Sequence, residues 1–160
     1  MSDKYTEKSI KATRTYTQKM KSSAKRVFPL LCPVRELEWV QEWPLEKVFT
    51  KSGYAEEDCV FLTRTESRER AIWYITRHEP ENYFLEMVKI TPSETGCKFQ
   101  IKLEETGADT CDSTITYTYV ALTPKGKEFV ESFTDENYQR FMKKWEKMLN
   151  NYLEKTARSE

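Results

Sequence analysis

The sequence predicts an α+β domain in which a curved antiparallel sheet of six or seven strands wraps around one long C-terminal helix, with two short helices after the first strand. Three observations predict it. From Pro44 to Thr123 almost every segment reads as strand, separated by turn signals. After Pro124 the apolar spacing changes from two residues to three and four. The resulting helix is amphipathic along its whole length, so a broad layer must cover one face, and the strands are the partner the chain offers.

Lys11 to Lys21 holds Thr13, Tyr16, Thr17 and Met20, a β-rich run without a helical stripe, and is the expected first strand. Ser22-Ser23 reads as a helix N-cap, opening a short helix over Ala24 to Leu31 that ends near Pro33. Pro33 suits the first turn of a second short helix, Val34 to Gln41. Strands are then expected at Leu45–Thr50, Cys59–Thr65, Ala71–His78, Tyr83–Thr91, Gly96–Glu105 and Thr114–Thr123. The turn signals are Ser52-Gly53, Glu66–Glu69, Glu79-Pro80, Pro92–Gly96 and Thr106–Asp109. Cys97, Phe99, Ile101 and Leu103 alternate with Lys98, Gln100, Lys102 and Glu104, which means one buried face and one wet face. Ala71–Ile75 and Phe84–Ile90 alternate less cleanly. Pro124 starts a helical stretch, and Thr134-Asp135-Glu136 is a fresh cap with acids in the first turn. Tyr138, Phe141, Met142, Trp145, Met148, Leu149, Tyr152 and Leu153 follow at helical spacing, over a span of about 30 Å.

Composition bounds the function. The 160 residues carry 26 basic and 26 acidic side chains, a formal net charge of zero, which argues against a nucleic-acid binder. The length suits one domain, expected over 11–155 behind a flexible 1–10 segment. No apolar run reaches the roughly 18 residues of a membrane span, and Met1–Ser9 is too polar for a signal peptide. A cytoplasmic monomer without membrane insertion is expected. Cys32, Cys59, Cys97 and Cys111 form no C-x-x-C pair and His78 is the single histidine, so the expectation is reduced thiols, no metal and no cofactor. Phe, Tyr, Trp and Met together number 26 against 24 for Leu, Ile and Val. Rigid plates fill space less completely than branched aliphatics, which tilts the reading toward an internal cavity, although an aromatic-rich solid core fits the same composition.

The order strand, two short helices, six strands, long helix resembles the helix-grip fold of the START-like, or SRPBCC, superfamily, which includes the birch pollen allergen family and the polyketide cyclases. The resemblance is carried by AKRVFPLLCP at Ala24–Pro33, VRELEWVQEW at Val34–Trp43, GYAEEDCVF at Gly53–Phe61, LTPKG at Leu122–Gly126 and the aromatic helix, and the chain looks closest to small prokaryotic members of unassigned function. It implies a sheet gripping the long helix with a largely apolar cavity between them, opening near the short helices. The superfold hosts carriers, enzymes and co-chaperones alike, so it implies no single activity.

The expected cavity wall comprises the inner sheet face, the short helices and the inward stripe of the long helix. The candidates are Trp39, Trp43, Phe61, Trp73, Phe99, Tyr117, Tyr119, Phe141, Trp145 and Met148, with Glu86 as a carboxylate that is either desolvated within or solvated outside. An aromatic stripe of this kind is equally the signature of plain core. Tyr74, Tyr117 and Tyr119 are candidate hydroxyls, and His78 is expected as an exposed strand-end residue with a general base as its alternative. No hydrolase, dinucleotide, P-loop or zinc-protease motif is present, so no catalytic residue is assigned. Glu36, Glu38, Glu42, Glu46, Glu56, Glu57 and Asp58 concentrate negative charge, either as a solvated face or as an acidic rim at the cavity mouth. The reading these features favour is binding or carriage of a small hydrophobic or amphipathic molecule. The alternatives are a cyclase- or dehydratase-like enzyme using Glu86 or His78, and a co-chaperone-type interaction module.

Overall fold

A computed structural model of the chain describes residues 4–64 and 69–157. Seven strands form one antiparallel sheet: β1 (Lys11–Met20), β2 (Leu45–Phe49), β3 (Val60–Arg64), β4 (Arg70–Glu79), β5 (Phe84–Thr91), β6 (Thr95–Gly107) and β7 (Thr110–Ala121). Their spatial order is β1-β7-β6-β5-β4-β3-β2. The helices are α1 (Ala24–Val27), α2 (Pro124–Ser132) and α3 (Asp135–Ala157). Thr65 and positions 66–68 of the expected Glu66–Glu69 turn lie outside the described residues, as do residues 1–3 of the N-terminal segment, whose residues 4–9 are exposed. Among the described residues no helix is long and apolar enough to cross a membrane.

Most elements follow the local signals. Ser23 caps α1, its Oγ accepting the Arg26 N–H at 3.3 Å, and the turn continues as a 3-10 segment at Phe28–Leu30, where Pro29 cannot supply an α-helical N–H. The expected helix over Val34–Gln41 is instead a single 3-10 turn, Arg35–Glu38. A segment this short does not propagate a helix by itself. Its position is set by two indoles: Trp39 donates Nε1–H to the Leu30 carbonyl (3.0 Å) and Trp43 to the Pro33 carbonyl (2.9 Å). The β6–β7 hairpin runs further than expected, to Gly107 and Thr110, absorbing a bulge after Glu105. The uneven alternation of β4 and β5 also finds its reason. Ala71, Trp73 and Ile75 are buried, but the outward positions Ile72, Tyr74 and Ile90 are apolar as well, so the period of two hides in the composition.

The LTPKG segment closes one end of the sheet. Thr123 donates its hydroxyl to the Ser93 carbonyl (2.6 Å) and accepts the Gly126 N–H (3.1 Å), which caps α2. A Cβ at Gly126 would lie 1.7 Å from the Glu94 carbonyl oxygen, so only glycine lets α2 come this close to the β5–β6 turn.

The long helix is bound asymmetrically, and this decides where space remains. Tyr138 donates to the Ile115 carbonyl (2.6 Å), Gln18 donates to the Met142 carbonyl (2.9 Å), and the Asn150 amide bonds the backbone of Lys19 and Lys21 (2.9 and 2.8 Å). All these partners are on or just after β1 and on β7, at one side of the sheet. Tyr138, Met142, Leu149 and Leu153 are buried there, while Trp145 and Met148, on the neighbouring stripe, are only half-buried. The sheet curves under the helix toward β3, and the region between them is not filled.

Candidate ligand-binding cavity

That region is a cavity of about 400 Å³. Its floor is the inner face of the sheet, read in register across the strands. One row runs Phe61, Trp73, Lys89, Cys97, Tyr119, and the next runs Ile75, Met87, Phe99, Tyr117. Its roof is the Met148, Trp145 and Phe141 stripe of α3, and one side is closed by Trp39, Val40 and Trp43. Gln41, Glu42, Pro44 and Lys144 are exposed lining residues and mark the mouth, beside the short helical turns.

Ten of the eleven predicted wall residues line this cavity: Trp39, Trp43, Phe61, Trp73, Phe99, Tyr117, Tyr119, Phe141, Trp145 and Met148. The aromatic rings support one another. Phe61 stacks on Trp73 with centroids 5.2 Å apart, Trp145 meets Trp39 and Trp43 edge-on at 5.3 and 6.3 Å, and Phe99 meets Tyr117 edge-on at 4.6 Å. Such pairs hold a wall in shape without filling the space before it. Phe141 departs from the expected inward stripe: its ring is 42% exposed and forms part of the rim.

Glu86 is the correction. Leu85 and Met87 point inward, so Glu86 points to the outer face, where its carboxylate accepts from Gln100 Nε2 (2.7 Å) and Thr76 Oγ1 (2.9 Å). The Gln100 bond first, then that from Thr76 and the charges of Lys98 and Arg77, hold its pKa below the ordinary carboxylate value despite some desolvation. His78 is likewise absent from the wall. It is half-buried rather than exposed, its ring 5.4 Å from that of Phe28, and burial lowers its pKa. Of the seven acids of the expected rim, only Glu36 and Glu42 line the cavity. Glu38 pairs with Arg35 and accepts from Tyr152, Glu46 pairs with Arg64 and Arg70, Glu56 accepts from the backbone of Lys51 and Ser52, and Asp58 accepts from Tyr74.

Two ionisable side chains that were not among the predicted wall residues also line the cavity: Lys89, and Glu36, which the sequence placed only in the acidic run. Glu36 has no side-chain partner among the described residues, and burial alone pushes its carboxyl up to about 8, so it is neutral near pH 7. Lys89 points inward from mid-β5, its Nζ 4.8 Å from the Trp73 ring centroid, and burial lowers its pKa against weaker opposition from Cys97 and Glu94. No carboxylate pairs with it among the described residues. The Cys97 thiol beside it is itself pushed up to about 12 by burial, so it offers no anion. The Tyr117 hydroxyl, also on the wall, has no hydrogen-bond partner among the described residues, whereas the Tyr74 hydroxyl is turned outward to Asp58 at 2.8 Å. Signals for both wall positions were present. Glu36 lies on one helical stripe with Trp39, Val40 and Trp43, and Lys89 keeps the strand phase of Leu85 and Met87.

No protein-family model and no curated protein matches the sequence. Solved structures do resemble the fold. Truncated norcoclaurine synthase from Thalictrum flavum superposes with a TM-score of 0.68 at 13% identity, covering 92% of this chain and 96% of that one. The same enzyme in complex with dopamine and hydroxybenzaldehyde gives 0.67 at 12% identity, over 92% and 88% of the two chains. A Staphylococcus aureus protein of unknown function gives 0.69 at 10% identity, over 94% and 98%. The likeness is of fold, over nearly the whole length of each chain, and with the sheet, the short turns and the clasped helix in place the chain has the helix-grip architecture to which its sequence was compared.

Proposed function

We propose that this protein binds a small hydrophobic or amphipathic molecule, of one or two rings or a short apolar chain, in the cavity beneath α3. The observation that carries the reading is an aromatic space of about 400 Å³ whose wall holds a neutral carboxyl, a desolvated amine and a free phenol. Apolar walls with a few unsatisfied polar groups are what a ligand site needs: burial supplies affinity at about 25 cal/mol per Å², and the polar groups fix orientation. A solid core would not leave the half-buried Glu36 and Lys89 turned inward without partners, because each then costs desolvation with no return. That one structural neighbour is named as a complex with an amine and an aromatic aldehyde is consistent with ligands of this size.

All four tryptophans of the chain line the cavity, so intrinsic fluorescence reports occupancy directly. Titration with 2-naphthalenemethanol is expected to quench it saturably with one site per chain. Ile115→Phe, which adds volume within the cavity, should weaken uptake about tenfold, roughly the 1–3 kcal/mol of an overpacked site. Ile72→Ser, on the outer face, should leave it unchanged. Absence of saturable quenching, or equal loss from both variants, would count against the cavity as the site.

A further inference from the structure

The α3 stripe that roofs the cavity continues beyond it. Trp145 and Met148 are followed, at the same three- and four-residue spacing, by Asn151, Tyr152, Lys155 and Thr156. This second half of the stripe faces an open groove whose other side is Glu38, Trp39 and Gln41. Trp39, Gln41 and Met148 line the cavity and the groove alike. Gln41 is exposed at the mouth, so a chain leaving the cavity turns past it and follows α3 without parting the tryptophan wall. From Met148 to Lys155 the groove runs about 10 Å, at 1.5 Å per residue. Its polar groups are unevenly satisfied. The one carboxylate, Glu38, is taken at both oxygens, by Arg35 Nε at one and by the Tyr152 hydroxyl at the other, 2.5 Å away. The side chains of Gln41, Asn151 and Lys155 make no hydrogen bond or ion pair among the described residues. Donors are therefore open while the acid is neutralised.

We propose that this groove is a second compartment of the binding site, holding the carboxylate end of an elongated amphipathic ligand whose ring body fills the cavity. This rests on the cavity-binding reading above and names the ligand class, arylalkanoates with a flexible chain. The chain passes Gln41 and packs along Met148, whose unbranched side chain adapts to it. The carboxylate is held between Asn151 and Lys155, which stand one helical turn apart and offer an amide donor and a positive charge to the same anion. The partial negative charge at the end of α3 is smaller than the full charge of Lys155 and acts over the last turn only. A cationic end would meet Lys155 with no open acid to hold it.

The test uses the full chain at neutral pH and low ionic strength, and follows tryptophan quenching by 8-(2-naphthyl)octanoate and by 8-(2-naphthyl)octan-1-ol, which has the same body and chain without the charge. Both should saturate at one site per chain. Lys155→Glu should weaken the octanoate about fivefold more than the octanol, since it exchanges an exposed attraction for a repulsion. Added salt should shrink that difference. Asn151→Asp should act in the same direction, and both positions are exposed, so neither variant disturbs the core. An equal effect of Lys155→Glu and of Asn151→Asp on the two ligands would overturn the second compartment, because the carboxylate would then lie elsewhere. Saturable quenching by 2-naphthalenemethanol would in that case leave the cavity reading standing. Its absence would remove both.

Discussion

Replacing Glu36 by Gln probes the interior electrostatics most directly. The folded chain holds this carboxyl at about 8, against 4.5 for an ordinary glutamate. Between those two values the unfolded chain has released the proton and the folded chain has kept it, so folding takes up a proton and stability falls as pH rises. The contribution is fully present below pH 4.5 and is lost progressively as pH climbs through about 8. At about 1.4 kcal/mol per pH unit, that interval amounts to at most ~5 kcal/mol, and solvent at the half-buried side chain reduces it. Glutamine has the same shape and no proton to lose. Other carboxylates act in the opposite sense, notably Glu56, held down to about 2 by hydrogen bonds from Ser52, Thr50 and Lys51, but wild type and variant share them and they cancel in the difference. Urea denaturation followed by far-UV circular dichroism across this pH range therefore gives the Glu36→Gln variant a growing advantage. The two proteins should converge in acid and separate by several kcal/mol near pH 8. Parallel pH profiles would refute a desolvated Glu36.

Three further outcomes follow from packing. Trp145→Ala should cost about 1–2 kcal/mol in chemical denaturation, less than the 3–5 of a core tryptophan, because the half-buried ring already borders open space; it should also alter quenching by 2-naphthalenemethanol. Gly126→Ala should destabilise by about 1–3 kcal/mol, since the new methyl meets the Glu94 carbonyl at 1.7 Å and α2 must retreat; an unchanged melting temperature would contradict this approach. Ser113→Ala should be neutral or raise stability by about 1 kcal/mol, because the buried Ser113 Oγ has no hydrogen-bond partner among the described residues; a clear loss would reveal one.

Comparison of particular elements shows where local signals suffice. The Thr134-Asp135 start of α3, the start of α2 at Pro124 and the alternation of β6 are properties of a few neighbouring residues, and the structure reproduces them within a residue or two. The expected Val34–Gln41 helix is one 3-10 turn because so short a segment does not hold a helix by itself, and the Trp39 and Trp43 indoles bond the carbonyls of Leu30 and Pro33 just upstream. Glu86 was weighed as a wall residue because its neighbours are apolar, and a period of two places those neighbours, not Glu86 itself, on the inner face.

By itself the sequence determined the element order, the sheet-on-helix architecture and the aromatic character of the wall, since each depends on periodicity and composition. Only the tertiary structure decided that the interior is hollow, and that a carboxyl and an amine face into it unpaired. A void is the distance left between a helix tied to β1 and β7 and a sheet that curves away toward β3, and no run of neighbouring residues encodes that separation. Charge on Glu36 or Lys89 reads as solvent-facing until the fold has removed the solvent.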